Sequence, residues 1–254
     1  MSKIEWTEKT WNPVTGCTKL SAGCKNCYAE KMAKRLQAMG VKGYEEGFEL
    51  QLVPKRLNDP FKRKKPTVYF VCSMSDIFHE GVPFSYTDEI MDVIRRTPQH
   101  TYQILTKRAN EMSVYLKGED IPANMWVGVT VENRDALHRI DHLRAIDAPV
   151  KFLSIEPLLE DLVDDCKPLD LTGIDWVIIG GESGSKARPM EKRWVEKIIH
   201  RCQEQDVTVF FKQWGMYGED GKRRSVKRNG HLINGKEIRQ YPEVYHQMLA
   251  NKEI

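Results

Sequence analysis

No stretch of the 254 residues is apolar over the roughly 20 positions needed to cross a bilayer. The opening Met1-Ser2-Lys3-Ile4-Glu5-Trp6 has no apolar run of the kind a signal peptide carries. These absences predict a cytoplasmic protein with no membrane partner. There is no internal repeat and no low-complexity tract, so nothing points to a repeat architecture. Excess charge is slight: 39 Lys and Arg against 36 Asp and Glu leave +3, a balance that permits a polyanionic partner without demanding one. Cysteine is scarce, at six residues. In a compartment that keeps thiols reduced, those six read as ligands, reactive groups or core fillers rather than disulfides.

What is present is a core and a rhythm. Hydrophobic residues make up 41% of a chain long enough for one large domain. Short β-rich runs alternate with helical patterns, as in βαβ units with a parallel sheet. Strands are predicted at 11–15, 67–74, 101–106, 125–131, 150–155, 175–179 and 207–211. Helices are predicted at 30–39, 86–96, 134–146 and 191–205; the last carries Trp194, Val195, Ile198, Ile199 and Cys202 as an apolar stripe. The pattern predicts an α/β fold, a parallel (β/α) barrel that is partial at six to seven units, in preference to a doubly wound sheet. Two stretches read as solvated periphery: 40–65, ending in Lys62-Arg63-Lys64-Lys65, and the tail from Tyr217, with Lys222-Arg223-Arg224 and Lys227-Arg228.

The most informative segment is Trp11-Asn12-Pro13-Val14-Thr15-Gly16-Cys17-Thr18-Lys19-Leu20-Ser21-Ala22-Gly23-Cys24-Lys25-Asn26-Cys27-Tyr28. Three thiols sit in a Gly-containing loop after the first predicted strand and before a helix. In a β/α barrel that is the C-terminal face, where active sites collect. The helix N-terminus beyond Cys27 favours thiolate. Three thiolates can hold a four-iron cluster and leave one iron without a protein ligand, open to a substrate or cofactor chelate. A structural zinc ion wants four protein ligands, with a His or Cys72 as the candidate fourth. Both metals stay open on the residues alone. Cys72 in a predicted strand, Cys166 in a loop and Cys202 on an apolar helix face read as core or surface thiols.

On these residues, 11–30 resembles the cluster loop of radical S-adenosylmethionine enzymes. The whole chain resembles the phage-type three-cysteine-motif family, often labelled a domain of unknown function. The matching segments are Ile4-Glu5-Trp6-Thr7, the cysteine loop, Ser73-Met74-Ser75-Asp76, Leu105-Thr106-Lys107-Arg108, Ser154-Ile155-Glu156-Pro157, Gly180-Gly181-Glu182-Ser183-Gly184 and Phe211-Lys212-Gln213-Trp214-Gly215. The resemblance therefore ends near Gly215 and leaves the tail uncovered. The loop departs from the common radical pattern, since six residues rather than three separate the first two cysteines and Asn26 rather than an aromatic precedes the third. The resemblance implies a [4Fe-4S] cluster on Cys17, Cys24 and Cys27, S-adenosylmethionine as cofactor, and an electron donor of flavodoxin or ferredoxin type. It also implies an enzyme that reductively cleaves S-adenosylmethionine for radical chemistry. The domains expected are a radical-type barrel over 1–216 and a C-terminal extension over 217–254 packed on or beside it.

Strand alternation gives the expected cofactor pocket. Val127, Val129 and Val131 would face helices, leaving Gly128, Thr130 and Glu132 to face in; Ser154 and Glu156 share a face. S-adenosylmethionine presents an ammonium and ribose hydroxyls, for which Glu132 or Glu156 would be acceptors. Ser73, Ser75, Thr130 and Ser154 offer short hydroxyl contacts. Gly180, Gly181 and Glu182 follow the apolar run 176–179, where backbone amides can approach a flat or anionic group. Asp76 and Glu132 also read as helix caps. Lys107, Arg108, Arg188 and Lys212 would either neutralise a substrate phosphate or pair with Glu132, Glu156 and Glu182. No residue is assigned to the catalytic step. A nucleotide or nucleic acid is the preferred substrate class, from the basic runs and the phage-like resemblance. The alternative is a metal-stabilised nucleic-acid-binding module without catalysis, which explains the Lys/Arg runs without a polar barrel mouth.

Overall fold

The computed structural model describes residues 4–163 and 168–245, so Cys166 lies outside the described residues. The chain divides into two compact units, 1–129 with 145–149, and 130–144 with 150–254.

The first unit runs β1 (Lys9–Trp11), β2 (Val14–Thr15), α1 (Tyr28–Ala38), β3 (Gln51–Leu52), β4 (Val68–Val71), α2 (Phe84–Arg96), β5 (Thr101–Thr106), α3 (Ala109–Leu116) and β6 (Met125–Thr130). β1 pairs in parallel with β4, β4 with β5, and β5 with β6. Val68, Tyr69, Phe70 and Val71 are all buried, as is every residue of β6, the near-continuous apolar run of a strand covered on both faces. α2 buries Tyr86, Ile90, Met91, Val93 and Ile94, and places Arg95 and Arg96 in its last turn, where the helix dipole favours cations.

The predicted strand 11–15 is two pieces. β1 leaves the parallel sheet at Trp11, and after Asn12-Pro13 the chain re-pairs, with β2 antiparallel to β3. Proline has no N–H for a ladder, so the break falls where it should. β3 lies in the stretch 40–65, which also buries Tyr44 and Leu57 and is therefore more than a solvated loop.

The second unit runs α4 (His138–Arg144), β7 (Val150–Ile155), β8 (Trp176–Gly180), α5 (Lys192–Glu204), β9 (Thr208–Gln213) and α6 (Val226–Asn229). The predicted helix 134–146 is divided into a 3-10 turn, Arg134–Ala136, and α4. β7 pairs with β8 and β8 with β9, both in parallel. α5 buries the stripe Val195, Ile198, Ile199 and Cys202. Beyond β9 the chain returns to that strand: Phe211 N donates to Ile238 O at 2.7 Å and Gln240 N to Val209 O at 2.9 Å. Tyr241 packs against Trp176 and Phe210, with ring centroids 5.6 and 5.3 Å apart.

Seven parallel strands in the order β1-β4-β5-β6-β7-β8-β9 make this an α/β fold, the partial parallel (β/α) barrel expected from the sequence. Among the described residues no helix is long and apolar enough to cross a membrane.

Candidate functional site

The cysteine loop of the first unit is built on one obligatory glycine. Gly16 sits at φ 76°, and a Cβ there would lie 1.9 Å from the Glu49 carbonyl oxygen, so no side chain fits. Gly16 N donates to Met74 O at 3.2 Å and Cys17 N to Phe48 O at 3.1 Å, which fixes where the first thiol starts. A 3-10 turn, Ala22–Cys24, follows, and Cys27 N donates to Cys24 O at 3.3 Å. Cys27 is the N-cap residue of α1. Cys17, Cys24 and Cys27 are all free and half-buried.

Ser73 and Ser75, expected in a cofactor pocket, lie beside this loop and tie down its root. Ser73 Oγ donates to Asn12 Oδ1 at 3.1 Å, Ser75 Oγ to Val14 O at 2.6 Å, and Tyr28 OH to the Ser73 carbonyl.

Arg108 holds the loop from the other side. It is buried just beyond β5, donating from Nε to Glu80 Oε2 at 2.7 Å, from Nη2 to Thr18 Oγ1 at 2.8 Å, and from Nη1 to Cys17 Sγ at 3.5 Å. Asp76 Oδ2 lies 3.5 Å from Nη1. Asp76 is no helix cap: its oxygens accept from Thr106 Oγ1 at 2.7 and 2.8 Å and from Phe78 N at 3.0 Å. His79 Nδ1 accepts from Gly81 N at 2.9 Å, and its Nε2 lies 2.9 Å from Thr18 Oγ1 and 3.3 Å from Thr18 N.

The thiols differ in acidity. Burial pushes Cys17 up to about 11 against the opposing pull of Arg108. At Cys24 burial also raises the pKa, but Lys107 and the backbone donors at Leu20 and Ser21 outweigh it and leave the thiol below its ordinary value. Burial alone pushes the Cys202 thiol up to about 12, and Cys72, fully buried, rises likewise.

Among the described residues no three His, Cys, Asp or Glu side chains converge so as to hold a single metal ion. A single ion needs its ligand atoms within about 2.3 Å of one point. The thiolates of a four-iron cluster sit on separate irons and need no common point. The donor set, three free thiols on one loop with cations beside two of them, fits the cluster's chemistry.

The other expected pocket residues fall in the second unit, where each carboxylate has a cation. Glu132 is fully buried and accepts from Arg139 Nη1 at 2.8 Å; the same nitrogen donates to Thr130 O at 2.8 Å. Glu132 is thus the anion of a buried ion pair rather than a helix cap. Glu156 Oε1 lies 2.9 Å from Lys212 Nζ, and Ser154 Oγ donates to Glu156 Oε2 at 3.3 Å. Glu182 accepts from the Arg188 backbone N at 2.8 Å, from Nε at 2.9 Å and from Nη2 at 2.6 Å. Gly181 passes Trp214 so closely that a Cβ would lie 2.1 Å from its carbonyl oxygen. Arg139 went unnoticed in the sequence, where it is one more charge in a helical pattern. Glu80, His79 and Thr18 went unnoticed because nothing local links them.

The fold is a partial parallel barrel, and its chemistry-bearing loop presents three free thiols between the first strands and the first helix. Residues 1–242 match the model of the family described as "Protein of unknown function (DUF5131)", and the chain belongs to that family. No curated protein matches the chain. Among solved structures it is similar to a spore photoproduct lyase mutant, with a TM-score of 0.48 and 13% identity over 99% of this chain and 74% of that one. It is also similar to a lyase mutant with bound AdoMet and dinucleoside spore photoproduct, with a TM-score of 0.44, 12% identity and coverage of 77% of this chain. In that second comparison the chain spans only 61% of the lyase's length.

Proposed function

We propose that the chain is a radical S-adenosylmethionine enzyme, with Cys17, Cys24 and Cys27 as the three protein ligands of a [4Fe-4S] cluster. The observation that carries the reading is the loop itself: three free, half-buried thiols between β2 and α1, with Arg108 donating to one and Lys107 acidifying another. Three thiolates leave a four-iron cluster one open iron, which is what chelation of S-adenosylmethionine requires. When bound, the cluster and S-adenosylmethionine supply one-electron reductive cleavage of a sulfonium for radical chemistry on a substrate.

This chain's own residues bind and orient. Gly16, Ser73 and Ser75 fix the loop, and Cys27 at the N-terminus of α1 meets the positive end of the helix dipole. Thr130, Ser154, Glu156, Gly180, Gly181 and Glu182 are the candidate cofactor contacts, with Glu156 foremost because its pairing with Lys212 is only partly buried. Glu132 is the weakest of the set, because its buried pairing with Arg139 already satisfies it. The electron donor would be of flavodoxin or ferredoxin type. The substrate class is a nucleotide or nucleic acid, supported by the largely exposed basic runs at 62–65 and 222–228.

Anaerobic purification tests this. The protein should carry about four irons per chain. It should release 5′-deoxyadenosine when reduced with S-adenosylmethionine present. Replacing Cys17, Cys24 or Cys27 singly should abolish iron binding, whereas Cys72→Ala and Cys202→Ala should keep it. Stoichiometric zinc without iron would instead favour the metal-stabilised nucleic-acid-binding module.

A further inference from the structure

Two of the segments that carry the family resemblance, Ser73-Met74-Ser75-Asp76 and Leu105-Thr106-Lys107-Arg108, contain no cysteine and so supply no ligand to the proposed cluster. In the structure they meet at Asp76, which is bonded by Thr106 Oγ1 and Lys107 N and lies 3.5 Å from Arg108 Nη1, and Arg108 reaches on to the cysteine loop. Its guanidinium is buried, with a side chain only 5% exposed, and it spends its donors on four groups: Glu80, Thr18, Asp76 and the Cys17 sulfur. Burying a guanidinium costs several kcal/mol unless its donors are matched. Matching Asp76 and Glu80 alone would satisfy the charge. Nothing in that account requires Nη1 to lie 3.5 Å from Cys17 Sγ, or Nη2 to donate to both the carbonyl and the hydroxyl of Thr18, the residue directly after Cys17.

The rest of the network is arranged to aim the fork. Asp76 is itself fixed by Thr106 Oγ1 and by Phe78 N, so it is a rigid anchor for Nη1. Thr106 Oγ1 accepts from Arg108 N at 2.8 Å, which orients the backbone at the start of α3. Thr18 is held from its far side by His79 Nε2. The Arg108 and His79 restraints converge on the Cys17–Thr18 step.

We infer that Arg108 is a positioning residue for the cluster: it holds Cys17 in its ligating place and, through the Nη1–H donated to the sulfur, sets the cluster's reduction potential. The inference rests on the cluster reading. A cationic N–H donor at a ligating sulfur stabilises the more negative, reduced cluster and so raises its potential. Removing the donor should lower the potential, making the cluster harder to reduce. Loss of the Thr18 contacts should loosen the ligand and cost iron.

The test uses the full chain as wild type, Arg108→Gln and Arg108→Lys, each reconstituted anaerobically with ferrous iron and sulfide. Iron content, the midpoint potential from a redox titration followed by electron paramagnetic resonance, and the melting curve of the iron-free protein are read on each. Arg108→Gln should hold less iron than wild type, and the cluster it does hold should titrate at a lower potential. Arg108→Lys keeps the charge beside Asp76 but not the planar fork. It should melt near wild type, recover part of the iron, and still titrate below wild type. Should Arg108→Gln fail to fold, Arg108→Lys carries the test alone. A potential unchanged from wild type in the folded variants overturns the proposal, as does iron loss that follows the melting temperature in proportion and that Lys does not rescue. A wild-type chain that takes up no iron overturns the cluster reading itself, and this inference with it.

Discussion

Gly180 makes room for the carboxylate of Glu156: a Cβ on Gly180 would lie 2.6 Å from Glu156 Oε1. The neighbouring Gly181 makes room for something less forgiving, the backbone carbonyl of Trp214, at 2.1 Å from its own imagined Cβ. A side-chain end can swing away, whereas a backbone segment packed in a core cannot. The double glycine is therefore two devices. Gly181→Ala should destabilise by about 3 kcal/mol, and Gly180→Ala by about 1 kcal/mol, with its effect falling mainly on the Glu156–Lys212 pair. Urea unfolding of the two variants checks the order; equal losses would show that Glu156 is as immobile as the backbone.

The Glu132–Arg139 pair makes a second prediction. Both side chains are buried, Glu132 completely. Arg139→Met strands a carboxylate in the core and should cost about 3–5 kcal/mol, while the double change Glu132→Leu with Arg139→Met should recover most of that. Denaturant midpoints for the two single variants and the double variant decide it. A double variant no better than Arg139→Met would mean that the pair's geometry, not its charge balance, carries the stability.

How far the sequence reaches can be read from particular segments. The strands at 101–106 and 150–155 are recovered residue for residue, because short runs rich in apolar and β-branched residues have one good use in a parallel sheet. The placement of three thiols on one loop before α1 is equally plain, since their spacing is local. The short helix Ala109–Leu116 was not foreseen: eight residues with Ala109, Met112 and Leu116 buried give too little periodicity to separate from a turn. Partnership was not readable either. That Arg188 takes Glu182 and Lys212 takes Glu156 was one of two open alternatives, and that Arg108 takes Glu80 and Asp76 depends on a fold that brings residues 28 and 32 positions apart into contact. The stretch 40–65 looked like solvated periphery because its buried side chains are too few for a period. Yet the carbonyl that receives Cys17 N belongs to its Phe48.

Acid should weaken the Arg108–Glu80 tie beside the cysteine loop. The guanidinium of Arg108, with help from a backbone N–H, holds the Glu80 carboxyl down to about 2. A carboxylate whose folded pKa is depressed contributes stability that is fully present above its ordinary value near 4.5 and is lost as the pH falls through about 2. Glu80 is largely exposed, so solvent screens the pair and the effect is modest. Melting temperatures of wild type and Glu80→Gln, taken across that window, should converge at its acid end and separate at its neutral end. Parallel curves would show that the pair does not stabilise the fold.

Of the carboxylates proposed to meet S-adenosylmethionine, Glu156 is the one whose ion pair is most readily exchanged. Glu156 is partly exposed, its Oε2 accepts from Ser154 Oγ, and its Oε1 faces Lys212 Nζ across 2.9 Å. A carboxylate in that setting can exchange or share its cation with an incoming ammonium or ribose hydroxyl without leaving a buried charge stranded, which Glu132 cannot do. Glu156→Gln should therefore leave the iron content unchanged and weaken S-adenosylmethionine binding about tenfold, the ~1.5 kcal/mol of one charge-assisted hydrogen bond. Its melting point should fall only slightly, because the Lys212 pair it removes reaches solvent. Calorimetric titration of S-adenosylmethionine into the reconstituted variant, run beside a thermal melt, separates the two roles. Unchanged affinity with a clearly lowered melting point would make Glu156 a structural partner of Lys212 and nothing more.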